Sequence, residues 1–140
     1  MSKRVALHDL VELDNVDLSQ FCRSVRFNSE HQQIDVSGFT ASGNDEFLAG
    51  NTVQSVELEM FGSYGSGEVH QVLYPLHRDR TVFDFVWRPN QNNAVSATNP
   101  ELRGSVQALT YGPGATRGEA DTFTVTLTAA DADGLEFFAT

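Results

Sequence analysis

The chain has little with which to do chemistry. Cys22 is the only cysteine among 140 residues, which excludes an intrachain disulfide and a thiolate metal cluster within one chain, and predicts a buried thiol. Long apolar runs are also missing. No stretch approaches the roughly 20 residues of a membrane-spanning helix, and MSKRVALHDLVELD lacks the continuous apolar core of a signal peptide. The expectation is a chain with no membrane partner, used in the cytoplasm where it is made. Positive charge is scarce as well: 9 Lys and Arg stand against 19 Asp and Glu, a formal net charge of -10. A groove that grips phosphate depends on Lys and Arg, so specific nucleic-acid reading is disfavoured.

The scarcity is uneven. Between residues 27 and 77 there is no Lys or Arg, while Glu30, Asp35, Asp45, Glu46, Glu57, Glu59 and Glu68 all fall there. This predicts an uncompensated negative region; general solubility, or a salt-rich host, is the alternative source of such acidity.

Catalytic patterns are equally sparse. His77-Arg78-Asp79 imitates the kinase catalytic-loop tripeptide, but Asp84 stands where that motif requires a metal-binding Asn, and the chain is too short for a kinase. His8, His31, His70 and His77 show no zinc-ligand spacing. Asp131-x-Asp133-Gly134-x-Glu136 resembles part of a calcium loop whose later ligands would fall past Thr140, so a hairpin turn explains it better. GSYGSG and GPGATRG lack the Lys-Ser/Thr ending of a phosphate loop, and no nucleophile elbow is present. No catalytic residue, cofactor or metal is assigned, and the protein reads as not an enzyme.

What is present is alternation. In QQIDVSGFTASGNDEFLAGNTVQSVELEMF, Ile34 and Val36, then Val56, Leu58 and Met60, fall at every second position, the period that places apolar side chains on one strand face. Between them lies a polar loop from Ser37 to Gly50 that nevertheless keeps Phe39, Phe47 and Leu48, which predicts that it docks on something. Further strands are predicted over Arg23 to Ser29, Thr81 to Arg88, Arg103 to Tyr111 and Thr122 to Thr128, with an extended segment from Val5 to Leu13 and a turn at Asp14 and Asn15. A short turn is expected from Asp17 to Phe21, capped by Asp17 or Ser19. Asp133-Gly134 predicts a hairpin that folds Leu135 to Phe138 back as a last strand.

Val69, Val72, Leu73 and Leu76 recur at helical spacing. They predict one short helix of about two turns, capped by Ser66, with Glu68 in its first turn and an end near Tyr74 imposed by Pro75. The fold class is mainly β: an antiparallel sandwich or barrel of seven or eight strands with one short helix. It is a single domain over residues 1–140, with an N-terminal arm over about 1–14 and the long loop over about 37–50.

The run VELDNVDLSQFCRSVRF at 11 to 27, IDVSGF at 34 to 39, FLAGNTVQSVELEMF at 47 to 61, and WRPN with SATNPELRGSVQAL from 87 to 109 resemble the tail tube proteins of long-tailed bacterial viruses. The resemblance covers most of the chain and is one of pattern. It implies a β-sandwich subunit that assembles with itself into stacked, six-fold rings around a channel for DNA. It further implies other tail proteins as partners, including a tape-measure protein in the lumen, DNA passing without specific binding, and a place in the virion tail after assembly in the host cytoplasm. Glu57 and Glu59, opposite Val56, Leu58 and Met60, become candidates for the lumen; a solvated outer strand face is the other reading. Phe39, Phe47 and Leu48 become candidates for a subunit interface, as do Phe137 and Phe138 near the C-terminus; alternatively the loop residues close one end of their own sandwich. A capsid decoration or minor capsid protein on a similar sandwich is the competing function, and a small ligand-binding barrel or enzyme is a third.

Overall fold

A computed structural model describes residues 4–39 and 43–140. The strands are β1 (Leu10–Leu13), β2 (Val16–Asp17), β3 (Cys22–Asp35), β4 (Phe47–Phe61), β5 (Val82–Arg88), β6 (Glu101–Gly114), β7 (Thr122–Ala129) and β8 (Glu136–Phe138), with one helix, α1 (Val69–Arg78), between β4 and β5. All eight strands belong to one antiparallel sheet, in the order β2-β1-β5-β6-β7-β4-β3, with β8 beside β6.

The alternating positions do what their period requires. Val56, Leu58 and Met60 of β4, Phe83 and Phe85 of β5, and Phe123, Val125 and Leu127 of β7 are all buried, while Glu57, Asp84 and Thr124 face outward. One cluster joins these side chains to Val11 and Leu13 of β1, and Val16 of β2 and Val25 and Phe27 of β3 pack against it. Strands from both ends of the pairing order thus share a core, so the sheet is wrapped round its own apolar face.

α1 covers that face. Val69, Leu73 and Leu76, at i, i+4 and i+7, are buried. Its limits differ from expectation at both ends. The N-cap is Glu68, not Ser66, and no side chain caps it; the Glu68 carboxylate instead turns back to accept from the Ser63 hydroxyl and from Gly65 N. Pro75 lies inside the helix rather than ending it. The carbonyl that Pro75 leaves without an amide donor belongs to Gln71, which is exposed, so water can satisfy it. The helix ends at Arg78, after which Arg80 takes the left-handed conformation at φ 55°.

The N-terminal segment is placed differently than the sequence predicts, while the turns that follow it lie where they are expected. Leu10–Leu13 form a strand inside the sheet, so the N-terminal segment is not an arm beyond Asp9. Asp9 anchors what precedes it, accepting from Trp87 Nε1 at 2.8 Å and pairing with Arg4 at 2.9 Å. Asp14 and Asn15, with φ 53° and 63°, make the tight turn into β2. The single turn at Ser19–Phe21 is a 3-10 turn, entered through Asp17 Oδ1, which accepts from Ser19 N at 2.9 Å. The connection from Pro89 to Pro100 is organised by buried Asn99: its Oδ1 accepts from Asn90 N, and its Nδ2 donates to the carbonyls of Asn90, Asn93 and Ala94.

The last strand pairs with β6 rather than with the strand that precedes it. Asp133-Gly134 does not close a hairpin on β7; β8 pairs with β6 through Glu101↔Phe138, Leu102↔Phe137 and Arg103↔Glu136. Because β7 lies on the same side of β6, ending at Ala129↔Val106, β8 continues the line of β7 after an excursion through residues 130–135. That excursion drives Leu135 into the core. Gly104 makes room for it: a Cβ there would sit 2.6 Å from Leu135 Cδ2 and 2.7 Å from Gly134 O. Gly104→Val is expected to expel Leu135 and β8, at a loss of about 1–3 kcal/mol in urea unfolding. Limited proteolysis should then clip the C-terminal segment while the far-ultraviolet spectrum stays β-rich.

Candidate assembly surfaces

β4 is longer than the sheet that supports it. Its inner half, Ser55 to Phe61, lies between β3 and β7, but towards Phe47 it pairs with β3 alone. The outer halves of β3 and β4 therefore form a two-stranded ribbon that leaves the body of the protein. Every described residue from Asn28 to Phe39 and from Gly43 to Ala49 is exposed. The ribbon is held by its ladder and by Ser37, whose hydroxyl accepts from Glu46 N at 2.7 Å and donates to Glu46 O at 3.2 Å. Ser37 also bonds to the Asp35 carboxylate, which lowers the pKa of Asp35.

Phe47 and Leu48 belong to β4 rather than to a loop, and lie on opposite faces of the ribbon. Leu48 pairs with Ile34, and Phe47 with Asp35. Inward positions on β3 are odd, as at Val25 and Phe27, so Ile34 is out of phase with the core. A register shift between His31 and Gln33 lets Leu48 follow Ile34 to that outer face. The alternation of Ile34 and Val36 is genuine, but it marks the ribbon's outer side. Phe39 is fully exposed, and Phe47, Leu48 and Val53 are 49%, 60% and 63% exposed. Two-stranded ribbons are marginal in water on their own, so these side chains gain by being covered.

The two C-terminal phenylalanines are partly accommodated within the chain. Phe137 meets Phe27 edge to face at 5.8 Å, and the Arg103 guanidinium lies 4.7 Å from the ring centre of Phe138. They remain 53% and 38% exposed. The backbone before them is held by Gln54, whose Oε1 accepts from Leu135 N at 2.7 Å and whose Nε2 donates to Leu135 O at 3.0 Å. A signal for this clamp existed, since Gln54 is a polar residue in phase with, and next to, the apolar run of Val56, Leu58 and Met60.

Glu57 and Glu59 do share the face opposite the core, beside Thr126 and Thr124 of β7. That face is less negative than the cation-free run suggests. Arg26 lies opposite Glu57 in the register, and Arg23 Nη1 is 3.3 Å from Glu59 Oε1. Both arginines precede residue 27, and antiparallel pairing carries them back beside the carboxylates.

Histidines and tyrosines gather where α1 meets β6 and β7, a cluster that sequence reasoning missed. His70 stacks on Tyr74 at 5.2 Å, and His70 Nδ1 is 2.9 Å from the Tyr111 hydroxyl. Tyr64 and Tyr111 each meet Phe123 edge to face at 5.6 Å. His77 Nδ1 donates to Ala108 O at 3.1 Å, and Arg78 pairs with its neighbour Asp79 at 3.1 Å, so the His-Arg-Asp tripeptide serves the helix exit. Asp131 and Asp133 form a turn, with Asp131 accepting from Gly134 N and Asp133 N. Among the described residues no three His, Cys, Asp or Glu side chains are grouped to hold a metal. Cys22 is half-buried, and burial pushes its thiol up to about 11.

With this geometry the fold is that of viral and virus-like tail proteins. A chain of the virion of the native gene transfer agent particle superposes with a TM-score of 0.76 at 15% identity, covering 98% of this chain and 100% of that one. The SPP1 tail tube protein gives 0.68 at 11% identity, covering 94% of this chain and 77% of that one. A chain of the tail of the empty gene transfer agent particle, solved with C6 symmetry, gives 0.61 at 17% identity over 85% and 83%. No family profile and no curated protein sequence matches the chain.

Burial raises the Tyr111 phenol from its ordinary 10.0 to about 12, with a smaller contribution from Tyr64. The folded chain thus favours neutral Tyr111, a contribution present in full below pH 10 and lost as the pH rises from about 10 to about 12. Stability measured by denaturant unfolding across that window should fall less steeply in Tyr111→Phe than in the wild type, with the half-buried Cys22 thiol also titrating within it.

Proposed function

We propose that the protein is a structural subunit of a phage-type virion tail, assembling with itself into stacked rings that enclose a channel for DNA. The observation that carries this reading is the ribbon: a chain otherwise closed round one core extends a two-stranded element bearing exposed Ile34, Val36, Phe39, Phe47, Leu48 and Val53. A protein that acted alone would not keep so many apolar side chains on so thin a support. The folds it shares support the same role, and the C6 symmetry of one of those tails makes a six-subunit ring the stoichiometry to test. A head-to-tail contact of this kind closes into a ring or repeats as a filament.

In this reading the ribbon and the phenylalanines Phe137 and Phe138 cover neighbouring subunits. The face with Glu57 and Glu59 turns to the lumen, where a tape-measure protein and then DNA would pass. Each guanidinium on that face has a carboxylate across the strand, and β7 supplies threonine hydroxyls, leaving no cluster of free cations to hold phosphate. Carboxylates act on passing phosphates over a Debye length of about 8 Å to 10 Å. Assembly would take place in the host cytoplasm, and the role is structural rather than enzymatic.

Negative-stain electron microscopy of concentrated protein is the direct test, and rings or hollow tubes are the expected outcome. Monomers or trimers that bind only capsids would replace this reading with a decoration role. Phe47→Ser with Leu48→Ser should leave subunit stability within about 0.5 kcal/mol of wild type and abolish those assemblies. Glu57→Lys with Glu59→Lys should preserve tubes but lower DNA delivery by particles carrying the variant; undiminished delivery removes these residues from the lumen.

A further inference from the structure

The ribbon carries charge as well as apolar surface, and this limits what can cover it. Glu30, Asp35, Asp45 and Glu46 lie along its described part, with His31 and no Lys or Arg. A seat for it must be apolar and locally basic. The same chain offers one such place at the corner between α1 and β5.

Five of the described arginines are already committed to carboxylates: Arg4 to Asp9, Arg23 to Glu59, Arg78 to Asp79, and Arg88 and Arg103 to Glu101. Arg26 faces Glu57 in the sheet register, and Arg117 has Glu119 and Asp121 close by in sequence. Arg80, like Arg26 and Arg117, is exposed and forms no ion pair among the described residues; its neighbour Asp79 is taken by Arg78, and its backbone is fixed, since its carbonyl accepts from Gln107 Nε2 at 2.8 Å. Arg78 adds a second guanidinium to the corner, so the stretch from Arg78 to Arg80 is net positive despite Asp79. Exposed apolar groups adjoin it. Val82, paired with Gln107, is 52% exposed, and Leu109, at a register shift of β6 beyond the start of β5, is 56% exposed.

We propose that the ribbon of one copy docks on the Arg80, Val82 and Leu109 corner of a second copy, its carboxylates facing Arg78 and Arg80 and its apolar side chains covering Val82 and Leu109. The proposal rests on the self-assembly reading above and specifies its contact. Ribbon and corner belong to different surfaces of one chain, so the contact is heterologous and propagates from copy to copy. Opposed charges fix which surfaces meet, while the apolar groups supply area.

A charge exchange tests it. Asp45→Lys with Glu46→Lys, and separately Arg78→Glu with Arg80→Glu, should each raise the concentration needed for assembly by about tenfold or more, measured by analytical ultracentrifugation. Mixing the two variants should restore association, because one reversed ribbon then meets one reversed corner. Thermal unfolding of each variant controls for folding, and Arg80→Gln replaces the double reversal if that chain is unstable. Wild-type assembly by the corner variants, or no recovery on mixing, overturns this seat while leaving self-assembly intact. A wild-type chain that stays monomeric at every concentration overturns both readings.

Discussion

An antiparallel sheet with one apolar face must hide that face, and here it does so by wrapping round a single helix. Fully burying each large aliphatic or aromatic side chain contributes about 1.5–3 kcal/mol. β4, β5 and β7 each direct at least two such side chains inward, with Val69, Leu73 and Leu76 of α1 completing the cluster. Other features depend on this closure. β1 joins the core from the opposite end of the pairing order, and Leu135 is pulled under the sheet even though doing so interrupts the line from β7 to β8.

Polar groups enclosed by the wrap are largely satisfied locally, with Arg88 Nε a buried atom left without a hydrogen-bond partner. Asn99 bonds to backbone groups of the β5–β6 connection, Glu101 holds both Arg88 and Arg103, and Gln54 replaces a missing strand for Leu135. Each arrangement answers the high cost of leaving a buried polar group unpaired. At the helix the same requirement is met by rings, with the Tyr111 hydroxyl shared with His70 in a largely aromatic setting. These contacts tie α1 to β6, and the C-terminal strand to the root of the ribbon.

The ribbon is the part that closure does not reach. β3 and β4 run on past the end of β7, where neither sheet nor helix remains to cover them, so their side chains are exposed on both faces. The register shift near His31 decides which face of the ribbon each side chain occupies, turning Leu48 to the outer face with Ile34. On the body, the outer side of the same strands is polar and locally charge-paired. One hairpin thus supplies part of the core, a polar outer face and an exposed apolar extension.

Much of the fold follows from local chemistry. Alternation in β4, β5 and β7, helical spacing from Val69 to Leu76, and the turn at Asp14 and Asn15 depend on near neighbours, and the sequence alone determined a mainly β domain with one helix. The absence of cations between residues 27 and 77 was equally plain in it. Tertiary structure decided whatever depended on a distant partner. Pro75 was accommodated because the carbonyl it leaves without a donor belongs to exposed Gln71, and β8 joined β6 because Gly104 left a place for Leu135. Glu57 and Glu59 acquired Arg26 and Arg23 because a register of hydrogen bonds, invisible to a linear count of charge, brought β3 alongside β4.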